Sequence, residues 1–211
     1  MKKPQKQTIA ILIVFLFGFV LFFIGTDGFK AYTAETARLL QLEKERPEFP
    51  QVTLEDSKGR NYTFNEFAGK YVMLTFVYTE CTDVCPQLEM NLAEVYNQIP
   101  KEYIGTDIVF LSISFDPDRD DIEALQKYSH FFNSDEETWR MTRIEDKQEL
   151  QNLLDAFGVI VIPDNSGGFT HNSAFYLVDP EGKLVEVMDY TKTKEAATKV
   201  HTILTGEGEG M

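Results

Sequence analysis

The chain has 211 residues, of which 43% are hydrophobic and 26% are charged, and its formal net charge is −14. This acidity argues against a nucleic-acid partner, because phosphate binding requires a basic surface. Once an N-terminal apolar segment is set aside, about 160 residues remain, which is enough for one domain with a sizeable core.

An uncharged and mostly apolar stretch extends from Gln7 to Thr26. A helix that spans a bilayer needs roughly 20 such residues, so residues 1–26 are predicted to form a cytoplasmic tip and a transmembrane anchor. Lys2, Lys3 and Lys6 precede the stretch, which places everything after it on the outer side of the membrane. A cleavable signal peptide is the alternative, but its apolar region is usually only about 7–15 residues long.

The sequence also favours one kind of membrane. No arginine-rich transit peptide is recognisable, so a bacterial cell membrane is expected rather than a mitochondrial one, with the globular domain on the extracytoplasmic side. Beyond the anchor the net charge falls to −17, which we interpret as a device for solubility.

Residues 27–47 are predicted to form a helical stalk that ends at Pro47 and Pro50. Runs rich in β-branched and aromatic residues predict buried strands, and apolar residues at helical spacing predict helices. The predicted strands are 52–54, 62–64, 71–78, 108–115, 139–141, 174–178 and 184–188; the predicted helices are 86–98, 120–132, 147–157 and 192–204. Residues 163–170 are predicted to be an irregular loop.

This order predicts an α/β fold for residues 48–205: a thioredoxin-like sandwich in which helices flank a central mixed sheet. The Asp179-Pro180-Glu181-Gly182 segment is a strong hairpin-turn signal between the last two strands. Residues 206–211, which are mostly Gly and Glu, are predicted to be a flexible tail.

Two cysteines, Cys81 and Cys85, lie where the strand 71–78 gives way to a helix. The N-terminus of a helix lowers the pKa of a nearby thiol, so both are expected to favour the thiolate. A structural disulfide is the alternative in an oxidising compartment. The spacing argues against it, because so short a loop constrains the unfolded chain little and a pair four apart on a helix bonds only with distortion.

His171 is a further candidate, because it precedes the strand 174–178 in the region that faces the cysteine turn of thioredoxin-like folds. With these motifs in view, the chain resembles the Sco/SenC family of membrane-anchored, thioredoxin-fold copper chaperones. The resemblance rests on Cys81-Thr82-Asp83-Val84-Cys85-Pro86, on Ser112-Ile113-Ser114-Phe115-Asp116-Pro117, and on His171 ahead of Phe175-Tyr176-Leu177-Val178-Asp179-Pro180.

The resemblance implies that Cys81, Cys85 and His171 bind copper, as Cu(I) and Cu(II). It implies delivery of copper to the binuclear centre in subunit II of a cytochrome c oxidase, with other copper chaperones or thiol-disulfide oxidoreductases as further partners. The residue types agree, since thiolates suit the soft Cu(I) ion and imidazole is also accepted. A structural zinc site usually has four protein ligands, whereas three are recognised here.

Other functions stay open at this level. An extracytoplasmic thiol-disulfide reductase would use Cys81 and Cys85 as redox-active residues and would not require His171. A peroxiredoxin-like peroxidase is disfavoured, because no arginine lies near either cysteine in sequence, although one can arrive from elsewhere in the fold.

Other residues are assigned supporting or structural roles. Asp83 is interpreted as a residue that shapes the turn, with direct metal binding as the alternative, and Asp116 as a support for the site. His130 and His201 are interpreted as ordinary helix residues. Met73, Met90, Met141 and Met188 are interpreted as packing residues. The chain departs from the family pattern at Thr170-His171-Asn172-Ser173 and around Trp139, which places the supporting contacts of the site in question.

Overall fold

The two most continuous apolar segments of the chain, Tyr71–Val77 and Ile108–Ser114, lie side by side as parallel strands. In the computed structural model, which describes residues 5–26, 33–164 and 167–206, nearly every residue of these two strands is buried. Burial on both faces explains their unbroken apolar composition. Both were predicted, and each ends one residue earlier than expected.

Within the described residues these strands form the centre of a seven-stranded mixed sheet. The strands in chain order are β1 (Leu54–Asp56), β2 (Asn61–Tyr62), β3 (Tyr71–Val77), β4 (Ile108–Ser114), β5 (Trp139–Arg143), β6 (Val161–Pro163), β7 (Phe169–His171), β8 (Phe175–Val178) and β9 (Leu184–Met188). The order across the sheet is β2-β1-β5-β4-β3-β8-β9. Strand β4 runs parallel to both β3 and β5, whereas β8 runs antiparallel to β3 and β9.

The chain forms two helices before the sheet, α1 (Gln5–Gly25) and α2 (Ala34–Glu45). The helices that flank the sheet, as the predicted fold class requires, are α3 (Val84–Gln98), α4 (Ile122–Phe132), α5 (Lys147–Ala156) and α6 (Thr193–Thr205), and a 3₁₀ helix lies at Phe64–Phe67. Helix α3 packs against α6, and α4 packs against β5. Leu88, Leu92 and Val95 form the fully buried side of α3, at the spacing that predicted this helix.

Aspartates begin two of these helices. The side chain of Asp121 accepts a hydrogen bond from the backbone N–H of Ala124, and Asp146 accepts from Gln148 and Glu149. These contacts satisfy donors that the first turn of a helix leaves without partners. Helix α4 therefore begins at Ile122, slightly later than predicted, and α5 at Lys147 as predicted.

Three local predictions were wrong. In the first hairpin, β1 lies two residues later than predicted. Strand β2 begins one residue and ends two residues earlier than predicted, because Phe64 and Phe67 turn inward in a 3₁₀ helix instead of continuing a strand. Residues 163–170 are not a plain loop, since β6 and β7 pair there as a separate two-stranded sheet that ends at His171. Met90 is not a core residue: it is 51% exposed, because it lies on the side of α3 opposite Leu88 and Leu92.

The chain divides into two compact units, residues 1–44 and 45–211. In the first, Thr8–Gly25 has a mean hydropathy of 2.9 and is long and apolar enough to cross a membrane, a property that a signal sequence shares. A helix is observed within the predicted stalk as α2, and the role of this segment as a stalk stays a prediction. Residues 27–32 of the predicted stalk lie outside the described residues. All but the first residue of the predicted tail lies outside them too.

Candidate metal centre

Cys81 and Cys85 meet at the junction between β3 and α3. Cys81 lies in the turn after β3, and Cys85 is the second residue of α3. The backbone N–H of Cys85 donates a hydrogen bond to Cys81 Sγ over 3.3 Å. Both are free thiols, and their exposed fractions are only 7% and 0%. Cys81 therefore lies outside the helix, near its N-terminus, while Cys85 is part of the first turn.

The surroundings shift the pKa values of the two thiols in opposite directions. A hydrogen bond from the Cys85 thiol, aided by His171 and by the backbone N–H groups of Asp83 and Cys85, outweighs burial and lowers the pKa of Cys81 to about 3. The same contact raises the pKa of Cys85, because Cys85 is the proton donor to the Cys81 thiolate, and burial raises it further. The expectation that both cysteines favour the thiolate therefore holds for Cys81 and is wrong for Cys85.

His171 ends β7 with its ring directed at the cysteines. Its Nε2 atom lies 3.4 Å from Cys85 Sγ, and its Nδ1 atom lies 3.1 Å from the carbonyl oxygen of Asn172 and 3.4 Å from Ser173 Oγ. A carbonyl oxygen only accepts hydrogen bonds, so Nδ1 is assigned a proton, and Nε2 is the ring nitrogen that faces the sulfur. The edge of Phe115 packs against the ring, with 4.9 Å between centroids.

These three side chains are suited to a single soft metal ion. Two ligands that each lie roughly 2.0–2.3 Å from one ion are separated by about 3–4 Å, and the observed distance from Cys85 Sγ to His171 Nε2 falls in that interval. Among the described residues, no group of three or more His, Cys, Asp and Glu side chains is arranged so that it could hold a metal ion without some movement. An ion would thus replace the thiol–imidazole and thiol–thiolate hydrogen bonds, with loss of the Cys85 proton.

The aspartates predicted near the site lie around it in different ways. Asp83 is exposed, and its backbone N–H, not its carboxylate, approaches the Cys81 sulfur. Asp116 is buried after β4 and accepts a hydrogen bond from Arg119 Nε. Neither carboxylate has a hydrogen bond to Cys81, Cys85 or His171 among the contacts described.

The remaining histidines lie on the helices predicted for them. His130 is an exposed residue of α4 whose Nε2 atom lies 3.9 Å from Glu136. His201 lies on α6 with its ring edge against Tyr103. The interpretation of Met73, Met141 and Met188 as packing residues agrees with their burial.

An aromatic cluster behind the site was not found from the sequence. Tyr78 packs against Phe115 and Phe169, and Phe115 contacts both Phe169 and His171. The Tyr78 hydroxyl also accepts a hydrogen bond from the backbone N–H of Phe169. The alternating aromatic residues at the ends of β3 and β4 are the only local signal of it, because the contacts join segments about 90 residues apart. A polar cavity of about 550 Å³ opens beside this cluster and Cys81.

The SCO1/SenC family profile matches residues 41–205 of the chain. The chain belongs to the SCO1/SenC family. It is 26% identical over 136 residues to the SCO1 protein homolog of Bacillus subtilis, covering 64% of this chain and 69% of that protein. It is 28% identical over 151 residues to Protein sco1 of Schizosaccharomyces pombe, covering 68% of this chain but 55% of that relative.

Solved structures of this family share the fold. Yeast Sco1 with copper bound superposes with a TM-score of 0.65 at 24% identity, covering 78% of this chain and 92% of that one. BsSco, described as a member of the Sco family of cytochrome c oxidase assembly proteins and as having a disulfide switch, superposes with a TM-score of 0.65 at 22% identity, covering 76% and 95%. These similarities confirm the thioredoxin-like fold class predicted for this chain.

Proposed function

We propose that the chain is a membrane-anchored copper-binding protein that delivers copper to the binuclear copper centre in subunit II of a cytochrome c oxidase. Cys81, Cys85 and His171 hold the ion. The observation that carries this proposal is the approach of His171 Nε2 to Cys85 Sγ at 3.4 Å, across 86 positions of sequence. Thiol-disulfide exchange does not require a histidine in that place, whereas the histidine completes a three-ligand copper site.

The site suits both copper oxidation states. Two sulfurs satisfy Cu(I), and the imidazole nitrogen adds the harder donor that Cu(II) prefers. Cys81 is already a thiolate at neutral pH, so copper binding has to displace one thiol proton, that of Cys85. Copper binding is therefore expected to release one proton per ion, and the affinity is expected to rise with pH.

Anchoring supports delivery at a membrane. The apolar helix Thr8–Gly25 fixes the domain to a bacterial cell membrane in this proposal, with the copper site on the extracytoplasmic side. A target site in the same membrane, on the same side, is then met at a raised effective concentration. The relatives support the choice of target, because BsSco belongs to a family of oxidase assembly proteins and yeast Sco1 has been solved with copper bound.

The test is a Cu(II) titration of the reduced full-length chain in detergent micelles, followed by absorption and electron paramagnetic resonance. We expect about one equivalent of bound Cu(II) with strong sulfur-to-copper charge-transfer bands. His171→Ala should lose tight Cu(II) binding, whereas His130→Ala, which removes an exposed helix histidine, should leave the spectra unchanged. Unchanged spectra in His171→Ala would exclude His171 as a ligand.

A second function is favoured by the opposite pKa shifts of the two thiols. Thiol-disulfide exchange needs a thiolate that attacks and a thiol that resolves, and Cys81 and Cys85 differ in this way. The Cys81 thiolate attacks a partner disulfide, which releases one partner thiolate and leaves a mixed disulfide. Cys85 then loses its proton and attacks Cys81, so two electrons pass to the partner and a Cys81–Cys85 disulfide forms. The cysteines of oxidase subunit II are the proposed substrate.

The two functions separate in His171→Ala. A reductase keeps its exchange rate in that variant, while a copper-binding protein loses its Cu(II) site. Rapid cysteine oxidation on adding Cu(II), with no retained ion, would favour the reductase. A peroxidase gains no support from the arginine that the fold brings beside Cys81, because the hydrogen bonds of Arg119 go to Asp116, Glu80 and Gly167.

A further inference from the structure

The apolar anchorage of the hairpin that carries His171 comes mainly from Phe169, which packs against Tyr78 and Phe115. Strands β6 and β7 have three residues each and pair with each other, outside the seven-stranded sheet. Ile160 and Ile162 on this hairpin are 54% and 57% exposed. A two-stranded hairpin alone is at best marginally stable in water. Contacts from the rest of the domain must therefore hold His171 near the cysteines.

One side of the hairpin is held by Asn172. Its side chain accepts a hydrogen bond from the backbone N–H of Ile160 over 2.7 Å and donates one to the carbonyl oxygen of Gly158 over 3.1 Å. These bonds fasten the base of the hairpin to the segment that follows α5. They leave its other end, toward Gly167, to be held by different groups.

Arg119 provides the contacts at that other end. Its Nη1 atom donates to the carbonyl oxygen of Gly167 over 2.7 Å and to Glu80 Oε2 over 3.0 Å, and its Nε atom donates to Asp116. One guanidinium therefore joins three segments: the hairpin, the residue before Cys81 and the end of β4. The bonds to Glu80 and Gly167 are both exposed, and each is expected to contribute little alone. Asp116, whose side chain is 8% exposed, holds the guanidinium from the buried side.

Aromatic stacking adds a further attachment. The guanidinium carbon lies 5.2 Å from the Phe169 ring centroid and 5.8 Å from that of Tyr78. Phe169 is two residues before His171, and its backbone N–H donates to the Tyr78 hydroxyl. Only a planar, multiply donating group can make the hydrogen bonds and the stacking together, which an ammonium cannot reproduce.

We propose that Arg119 is a positioning residue that fastens the β6–β7 hairpin to the cysteine turn and so holds His171 Nε2 at the distance a shared metal ion needs. The role of Arg119 in metal binding rests on the proposed copper function. Its attachment of the hairpin to the cysteine turn is a property of the protein without metal. Arg119 acts through His171 and not as a ligand.

The first experiment measures the fastening without copper. Amide hydrogen exchange of the reduced full-length chain is compared for wild type, Arg119→Met, Arg119→Lys and Arg140→Met. Arg140 is the matched control, because its guanidinium also stacks on two rings, Tyr62 and Phe67, and pairs with Glu66, away from the cysteines. Exchange at Phe169 should accelerate in both Arg119 variants and stay unchanged in Arg140→Met. Unchanged exchange at Phe169 in Arg119→Met would overturn the proposal.

The second experiment is a double-mutant cycle that combines Arg119→Met with His171→Ala. It measures the Cu(II) affinity and the nitrogen hyperfine structure in the electron paramagnetic resonance spectrum. Arg119→Met should weaken Cu(II) binding by about 10- to 100-fold, as losing a supporting contact of a ligand typically does. It should have no further effect in the His171→Ala background. An equal loss in both backgrounds would show that Arg119 acts on the thiolates by charge and would overturn the proposal. A wild-type chain that binds no copper would refute the proposed function, while the exchange experiment would still decide on the fastening.

Discussion

Glu89 accepts a hydrogen bond of 2.6 Å from Ser112 inside the domain, one helical turn after Cys85 on α3. Thr75 donates to the other carboxylate oxygen over 2.7 Å, and the Trp139 indole N–H donates to Ser112. The carboxyl is fully buried, and this burial outweighs the two hydrogen bonds and raises the pKa of Glu89 to about 7. The fold therefore keeps an ionisable group one helical turn from Cys85 whose pKa is raised toward neutrality.

The first prediction concerns this carboxyl and the stability of the domain. A carboxyl whose pKa is higher in the folded than in the unfolded chain binds its proton more tightly in the folded state. Its contribution to stability is thus fully present below the ordinary pKa of 4.5 and is lost as the pH rises through about 7. The loss is expected to be on the order of 3 kcal/mol, from the size of the pKa change.

Glu89→Gln should remove that dependence, because the amide does not ionise. Urea unfolding followed at about pH 5 and about pH 8 should show wild type less stable at the higher pH and a much smaller difference in Glu89→Gln. Glu123→Gln is the control, since Glu123 lies exposed on α4 and pairs only with Lys127 there. A variant with the same pH dependence as wild type would contradict a buried, titrating Glu89.

The second prediction separates the two cysteines by their reactivity. With a pKa of about 3, Cys81 is a thiolate throughout the physiological range, so its alkylation rate should be nearly constant from about pH 5 to pH 8. Cys85, whose pKa is raised, should react slowly and faster with rising pH. Brief iodoacetamide labelling of the reduced wild-type chain, with the modified cysteine located by tandem mass spectrometry, measures each thiol while the other is present. Faster labelling of Cys85 than of Cys81 at about pH 6 would contradict the assignment.

The third prediction concerns both sulfurs as copper ligands. Cys81→Ser and Cys85→Ser should each lose tight copper binding, by more than the about 10- to 100-fold that follows loss of a supporting contact, because a hydroxyl is a poor ligand for a soft ion. Competition with a Cu(I) chelator measures this for the reduced full-length chain. Ser173→Ala, which removes only a 3.4 Å contact to His171 Nδ1, should change the affinity far less. Stoichiometric copper retained by either cysteine variant would exclude a dithiolate site.

The sequence predicted those parts of the site that depend on local pattern. The apolar runs that became β3 and β4 located the cysteine turn, and the position of His171 before β8 placed it opposite that turn. The β6–β7 hairpin was missed, because its short strands carry exposed isoleucines and show no alternation between buried and solvent-facing residues. The predicted domain limits stay a prediction.

Long-range contacts account for the rest. Arg119 meets Gly167 across 48 positions, and no local pattern announces that pairing. The opposite pKa shifts of Cys81 and Cys85 were also missed, because Cys81 lies outside α3 and Cys85 inside it, so the pair is not on one helical face. For the same reason, the spacing argument against a disulfide does not apply to the folded chain. Glu89 was not singled out, since charged residues are rarely buried.

The last prediction concerns Asp120, which ties the end of β3 to the end of β4. Its fully buried carboxylate accepts hydrogen bonds from the backbone N–H and the hydroxyl of Thr79, two residues before Cys81, and from the hydroxyl of Ser114. Asp120→Asn replaces one accepting oxygen by a donor that then faces other donors. We expect the free energy of unfolding to fall by about 2–3 kcal/mol, because buried donors are left unsatisfied.

Asp121→Asn is the matched control, since it makes the same change one position later. Asp121 begins α4 by accepting from the backbone N–H of Ala124, and asparagine serves equally well at the start of a helix. Its effect on urea unfolding should stay within about 0.5 kcal/mol, as for most surface substitutions. Equal losses in the two variants would mean that the buried carboxylate is not what holds the cysteine turn to β4. A loss confined to Asp120→Asn would mean that the turn depends on the buried Asp120 carboxylate, which accepts hydrogen bonds from Thr79 and Ser114.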